Sequence, residues 1–332
     1  MNADTNPTLP RLFSSVELCA GGGGQALGLE AAGFEHVALV ERDAHACATL
    51  RQNRPKWNVI ERRLEEFDAR PFAGVDLVAG GVPCPPFSKA GKQLGAGDER
   101  NLFPEALRVV AECRPRAILL ENVRGLLDPV FAEYRQWLGG QLADLGYTAQ
   151  WRLLNASDFG VPQLRPRVVM VGLPTRALAS HPFAWPTPSP HPPPTVGEAL
   201  LAMMSARQWS GAATWARGAA SIAPTVVGGS HKHGGPDLGP TRAKRAWAAL
   251  GVDGMGIADS PPPPDFIGMP RLTVAMVAQL QGFSPEWRFA GRKTHAYRQV
   301  GNAFPPPVAR AVASSVATWL DACPAPRART GA

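Results

Sequence analysis

Between residues 12 and 172 the chain alternates short apolar runs with helix-patterned segments, and the first junction carries four consecutive glycines, Gly21–Gly24. The run LFSSVEL at 12–18 reads as a strand and Gln25–Ala32 as a helix that stops near Gly33. VALVE at 37–41 reads as a second strand, and 43–53 as a second helix. Further strands are predicted at 75–79, 117–121, 147–154 and 167–172, with helices near 102–113 and 130–145. Such alternation wraps helices over both faces of a parallel sheet, so the expected fold class is α/β, doubly wound.

The rhythm fails after Gly172. Seven of the fourteen residues from His181 to Pro194 are proline. Proline lacks the amide donor and fixes φ, so this stretch is an extended linker. The chain stays rich in Gly and Pro to about Gly268, interrupted by one charge-dense helical piece, Thr241–Leu250. Apolar patterning returns beyond Pro270, and a last helix is expected near Val308–Leu320. The expected organisation is a large domain over 1–175, a small irregular domain over 176–270, and a segment over 271–332 that returns to the first.

Composition narrows the function classes. Thirty-four Lys and Arg against 27 Asp and Glu leave a net charge of +7 over 332 residues, which suits a polyanionic partner without requiring one. The five cysteines are odd in number and form no CxxC pair, so neither a disulfide framework nor a zinc knuckle is expected, and no metal. Reduced thiols point to the cytoplasm. The N-terminus lacks a basic stretch followed by an apolar one, and no run of about 18 apolar residues occurs, so neither secretion nor membrane spanning is expected.

Two places carry chemistry. Gly21, Gly23 and Ala26 match only a relaxed form of the dinucleotide fingerprint, and a generic tight turn would look the same. Glu41, however, ends the next strand, where a carboxylate can accept hydrogen bonds from both hydroxyls of a ribose. Together they suggest a nucleoside cofactor without saying which. Further on, Gly80-Gly81-Val82-Pro83-Cys84-Pro85-Pro86-Phe87-Ser88 sets a cysteine just past a strand end, stiffened by prolines. Sites of open α/β sheets gather on that edge, and a positioned thiol is a nucleophile candidate. Cys47 and Cys113 lie in helical patterns and read as structural.

Glu121-Asn122-Val123 follows the strand at 117–120. The glycine turn, Pro-Cys and Glu-Asn-Val in this order resemble the C5-cytosine DNA methyltransferases. So do Gln163-Leu164-Arg165-Pro166-Arg167, Arg271-Leu272-Thr273 with Gln281-Gly282-Phe283, and Arg298-Gln299-Val300-Gly301-Asn302-Ala303 before Pro305-Pro306. The resemblance covers 12–175 and 270–320 and implies a Rossmann-like, S-adenosylmethionine-dependent fold with a small irregular target-recognition domain. It assigns attack on cytosine C6 to Cys84, protonation of N3 to Glu121, bracing of that carboxyl and its loop to Asn122, the base O2 to Arg167, and the pinning of the catalytic loop to Arg165. Without it, both arginines could be plain surface charges. It implies S-adenosyl-L-methionine as donor and S-adenosyl-L-homocysteine as product, held by Leu18, Cys19, Ala20, Gly21, Gly23, Gly24, Glu41, Arg42, Pro83 and Asn302. Three departures stand out. Cys19 replaces an aromatic, Arg63 or a near neighbour replaces an Asp at the adenine end, and Pro85 replaces a Gln. Weaker donor binding is the expectation.

A stacked base cannot reach Cys84, so the target must be flipped out of its helix. The polar segment Lys89–Asn101 is read as a lid over the site. Candidate contacts to double-stranded DNA are Ser88, Lys89, Lys92, Arg100, Gln163, Lys232, Arg242, Lys244 and Arg245. The resemblance leaves open a separately acting restriction endonuclease or a solitary role, and a monomer is expected. It also leaves open a tRNA methyltransferase of the same fold and an inactive DNA-binding relative.

Overall fold

The computed structural model describes residues 12–83, 101–228 and 236–323. The first half runs β1 (Phe13–Leu18), α1 (Gly24–Ala31), β2 (Phe34–Glu41), α2 (Ala44–Asn53), β3 (Val59–Glu61), β4 (Leu77–Gly80), α3 (Phe103–Cys113), β5 (Ala117–Val123), α4 (Ala132–Asp144), β6 (Tyr147–Asn155) and β7 (Pro166–Pro174). The strands form one sheet in the order β3-β2-β1-β4-β5-β7-β6. The apolar runs of β4 and β5 are those of strands covered on both faces, and nearly all residues of these two strands and of β1 are buried.

The sheet is mixed rather than wholly parallel. Strand β7 is antiparallel to both β5 and β6, pairing Val123 with Arg167 and Asn155 with Pro166. Parallel neighbours need a long crossover, whereas β6 and β7 are joined by one 3₁₀ turn, Ala156–Phe159, and a short loop. That connection only allows a hairpin-like return.

The remainder contains α5 (Thr175–Ser180), α6 (Val196–Met204), α7 (Ala212–Gly218), α8 (Thr241–Ala249), α9 (Val274–Leu280), α10 (Lys293–Asn302) and α11 (Pro306–Ala322). Residues 182–195 have no regular structure, as their prolines require, yet they are strapped down: Trp319 donates to the His181 carbonyl and Ser189 to that of Asp158. Between 196 and 257 the buried side chains Trp209, Trp215 and Trp247 belong to one hydrophobic cluster with Leu39, Leu50, Leu272 and Tyr297. The irregular segment thus shares its core with residues from both ends of the chain. Helix α11 lies against α1, so closely that a Cβ on Gly28 would stand 2.4 Å from that of Ala309.

Candidate active site

Strand β1 has β2 on one side and β4 on the other, so the connections diverge there and a crevice opens at the carboxyl ends of the strands. A cavity of about 310 Å³ fills that crevice. Its walls come from the turn after β1, the ends of β2 to β5, and one face of α10.

The turn after β1 is built for close approach. Gly23 has φ +87°, and a Cβ on Gly24 would stand 2.3 Å from the Phe304 carbonyl oxygen. The C-terminal segment therefore docks directly on the turn, where Trp287 also donates to the Gly22 carbonyl at 3.0 Å. Glu41 binds the same turn: its carboxylate accepts from the Gly21 amide at 2.7 Å and from the Arg42 and Asp43 amides at 2.8 Å each.

Three polar groups on the cavity wall have buried atoms with no hydrogen-bond partner: Glu17 Oε2, both amide atoms of Gln25, and Arg298 Nε. Burial, with the nearby Glu41 carboxylate, holds the Glu17 carboxyl well above the usual carboxylate range, against the lowering effect of the Ala26 amide. Such orphans are costly in an interior, and a polar ligand is the ordinary remedy. None of the three was singled out from the sequence as a site residue. The available signal was an acidic residue inside a strand, four residues before the first glycine.

Glu121 ends the buried part of β5 and lines the cavity. Its Oε1 is 2.7 Å from Arg167 Nε, across the antiparallel pair. Burial raises the Glu121 carboxyl above its ordinary value even though Arg167, and Arg165 beyond it, pull the other way. Asn122 donates to the Val82 carbonyl at 2.8 Å, tying β5 to the segment that leads into Cys84. The Leu102 amide reaches the Pro83 carbonyl at 3.3 Å, so the chain entering residues 84–100 meets the chain leaving them. Cys84, Ser88, Lys89, Lys92 and Arg100, with the lid reading up to residue 100, lie outside the described residues, as does Lys232. Burial pushes the thiols of Cys19, Cys47 and Cys113 up to about 12, so none of these three is a ready nucleophile.

Of the expected donor residues, Cys19, Ala20, Gly21, Gly24, Glu41, Arg42, Pro83 and Asn302 line the cavity. Leu18 and Gly23 do not. Leu18 is fully buried, and a Cβ on Gly23 would meet Trp287 at 2.7 Å, so both shape the turn from behind. Arg63 pairs with Glu65 at 2.8 Å, and it is Arg62, Leu64 and Glu65 that reach the wall.

Three expected site residues are held by partners within the protein. Gln163 makes no surface for DNA: it is fully buried, donates to the Leu280 carbonyl and to Gln281, and accepts from the Val226 amide. Arg165 is equally buried. It donates to the carbonyls of Val226, Gly301 and Ala303 at 2.6, 2.9 and 2.9 Å. It therefore clamps the irregular segment to the C-terminal one; the loop it was expected to pin lies outside the described residues. Lys244 is paired with Asp237 at 2.7 Å, whereas Arg242 and Arg245 stand exposed on α8. Among the described residues no cluster of three or more His, Cys, Asp or Glu could hold a metal.

A strand-end crevice with a glycine wall, a buried carboxyl and a returning C-terminal helix defines a Rossmann-like methyltransferase. The chain belongs to the C-5 cytosine-specific DNA methylase family, whose profile matches residues 13–235 and 239–318, and it is a DNA cytosine-5 methyltransferase. It is 57% identical over 312 residues to the Type II methyltransferase M.NaeI of Lentzea aerocolonigenes, spanning 92% of this chain and 75% of that one. Identity to the Type II methyltransferase M.NgoMIV of Neisseria gonorrhoeae is 54% over 307 residues, spanning 92% and 97%. The fold is also that of Spodoptera frugiperda DNMT2, with a TM-score of 0.64 at 18% identity over 92% of this chain and 99% of that one.

Proposed function

We propose that the enzyme methylates C5 of one cytosine in a specific duplex DNA word, through a transient bond between Cys84 Sγ and C6 of a base turned out of its helix. The observation that carries this reading is the Glu121–Arg167 pair on the cavity wall. Cytosine C5 is a weak nucleophile. Addition of a thiolate to C6 makes the S–C6 bond and pushes the ring electrons toward N3, where Glu121 supplies a proton. The ring is then an enamine, nucleophilic at C5, and it takes the methyl group. Loss of the C5 proton expels the thiolate, and return of the N3 proton to Glu121 restores the neutral aromatic ring. A carboxyl whose burial raises its pKa keeps its proton where a solvated glutamate has lost it, as this role needs. Arg167 holds the base O2, and Asn122 steadies the chain just before Cys84.

S-adenosyl-L-methionine would supply an electrophilic methyl on a sulfonium, leaving S-adenosyl-L-homocysteine. Glu41, Asp43 and Glu65 on the wall suit a cationic ligand, and the unpartnered atoms of Glu17, Gln25 and Arg298 suit a polar one. The residues after β1 would hold its amino-acid part, Glu41 its ribose hydroxyls, and Arg42 and Pro83 its flanks. Donor binding weaker than is typical of the family is expected from Cys19, which offers no aromatic platform; at the other departure Arg63 stays off the wall and Glu65 reaches it. Titration calorimetry that finds no binding, with or without DNA, overturns the donor assignment.

The exposed arginines of α8, with Lys89, Lys92, Arg100, Ser88 and Lys232, are the proposed DNA contacts. The names of the two relatives support a role beside a separately acting restriction endonuclease; the proposed working form is a monomer in the cytoplasm. The deciding experiment offers duplexes carrying 5-fluorocytosine, from which the C5 fluorine cannot leave as a proton does. A denaturation-resistant protein–DNA complex is expected from the wild type with donor and none from Cys84→Ser. A wild type that is never trapped refutes the mechanism, and preferential trapping on tRNA refutes the substrate.

A further inference from the structure

We infer that Arg298 binds the carboxylate of the donor's amino-acid tail and thereby selects the complete donor over one lacking that group; this rests on the proposal that the donor is S-adenosylmethionine. Arg298 and Asn302 are four residues apart on α10, which puts them on one helix face, and both line the cavity. The intervening Gln299 fixes the rotation of that helix: it accepts from Thr49 Oγ1 at 2.6 Å and donates to the Ala290 carbonyl at 3.0 Å.

The other carboxylates on the wall are already engaged. Glu41 takes three backbone amides, Asp43 caps α2, Glu65 pairs with Arg63, and Glu121 with Arg167. What is left is complementary. Glu17 is 1% exposed with Oε2 unpartnered, Gln25 is 4% exposed with donor and acceptor both unpartnered, and Arg298 has Nε buried without an acceptor. No described carboxylate forms an ion pair with Arg298.

Among the described wall residues, a carboxyl oxygen of Glu17, the Nε of Arg298 and the amide of Gln25 are buried and unpartnered, which matches a zwitterion that needs an acceptor for its ammonium and a donor for its carboxylate. Guanidinium also meets a carboxylate with paired donors, which an ammonium side chain cannot do.

The test is titration calorimetry on the full chain, comparing wild type, Arg298→Gln and Arg298→Lys. The probes are S-adenosylmethionine, its decarboxylated analogue, and 5′-methylthioadenosine, which lacks the whole tail. The wild type is expected to prefer the complete donor over the decarboxylated one by about tenfold or more. Arg298→Gln should bring that ratio to within about twofold by weakening the complete donor alone, with Arg298→Lys recovering part of it. Unchanged binding of 5′-methylthioadenosine is expected and shows that the cavity is intact. Equal weakening of all three probes assigns Arg298 a structural role and overturns the inference. So does a variant that loses DNA affinity while binding donor normally. A wild type that binds none of the probes overturns the donor reading itself.

Discussion

Glu121 concentrates the chemistry of the site in one carboxyl. Its role requires a proton at N3, so Glu121→Gln should slow single-turnover methylation by about 10²- to 10⁴-fold. The sign of the pH effect follows from burial, which raises the carboxyl's pKa in the folded protein. Its proton is held below that raised value and lost as pH rises through it, so the wild-type rate should fall on the alkaline side. Glu121→Gln should lack that alkaline limb, and a variant that keeps it would remove Glu121 as the donor. Arg165 is the structural counterpart. Arg165→Met removes the donor to the Val226 and Gly301 carbonyls, each costing about 1–3 kcal/mol if left buried and unpaired, while that of Ala303 keeps Gln281, so urea denaturation should report a loss of a few kcal/mol. The site motifs were legible in the sequence because reactive groups need particular residue types at strand ends. Gln163 misled because a polar residue in a loop reads as exposed; here its amide pairs with backbone groups and Gln281, all brought in by other segments.

At the level of elements, α8 illustrates how packing sorts like residues into different roles. Trp247 is fully buried and anchors the helix, which leaves Arg242 and Arg245 outward and Lys244 against Asp237. If the helix tracks phosphates, Arg242→Ala and Arg245→Ala should each make the plot of log affinity against log salt shallower by about 0.9, while Lys244→Ala changes it less. Equal slopes for all variants would remove α8 from the DNA interface. The junction of α1 with the C-terminal segment is tighter still. Gly24→Ala drives a Cβ to 2.3 Å from the Phe304 oxygen, so a shift of the docked segment, a loss of about 1–3 kcal/mol and weaker donor binding are expected by denaturation and calorimetry. Strands β1, β2, β4 and β5 were readable because each is apolar over several residues. The antiparallel sense of β7 was not, because direction depends on the connection rather than on the strand's own composition. Helix α6 was missed inside the Pro-rich region although Thr195 and Glu198 form a capping box, with the Thr195 amide 2.7 Å from the Glu198 carboxylate.

For the molecule as a whole, the irregular segment and the catalytic sheet share a hydrophobic cluster that holds Trp247, Leu39, Leu272 and Tyr297. Bisulfite sequencing of the plasmid that expresses the enzyme should show conversion-resistant cytosines at every copy of one short word and none with Cys84→Ser. Scattered resistance would argue against a built-in target word. The sequence by itself determined the α/β class, the order of the elements and the residue types that chemistry at C5 demands, because periodicity and reactive groups are local properties of the chain. Only the tertiary structure decided which polar residues became internal clamps and which were left unpartnered on the cavity wall. Burial and hydrogen-bond satisfaction are shared between segments as far apart as Glu17 and Arg298, and neither is a property of any one stretch of chain.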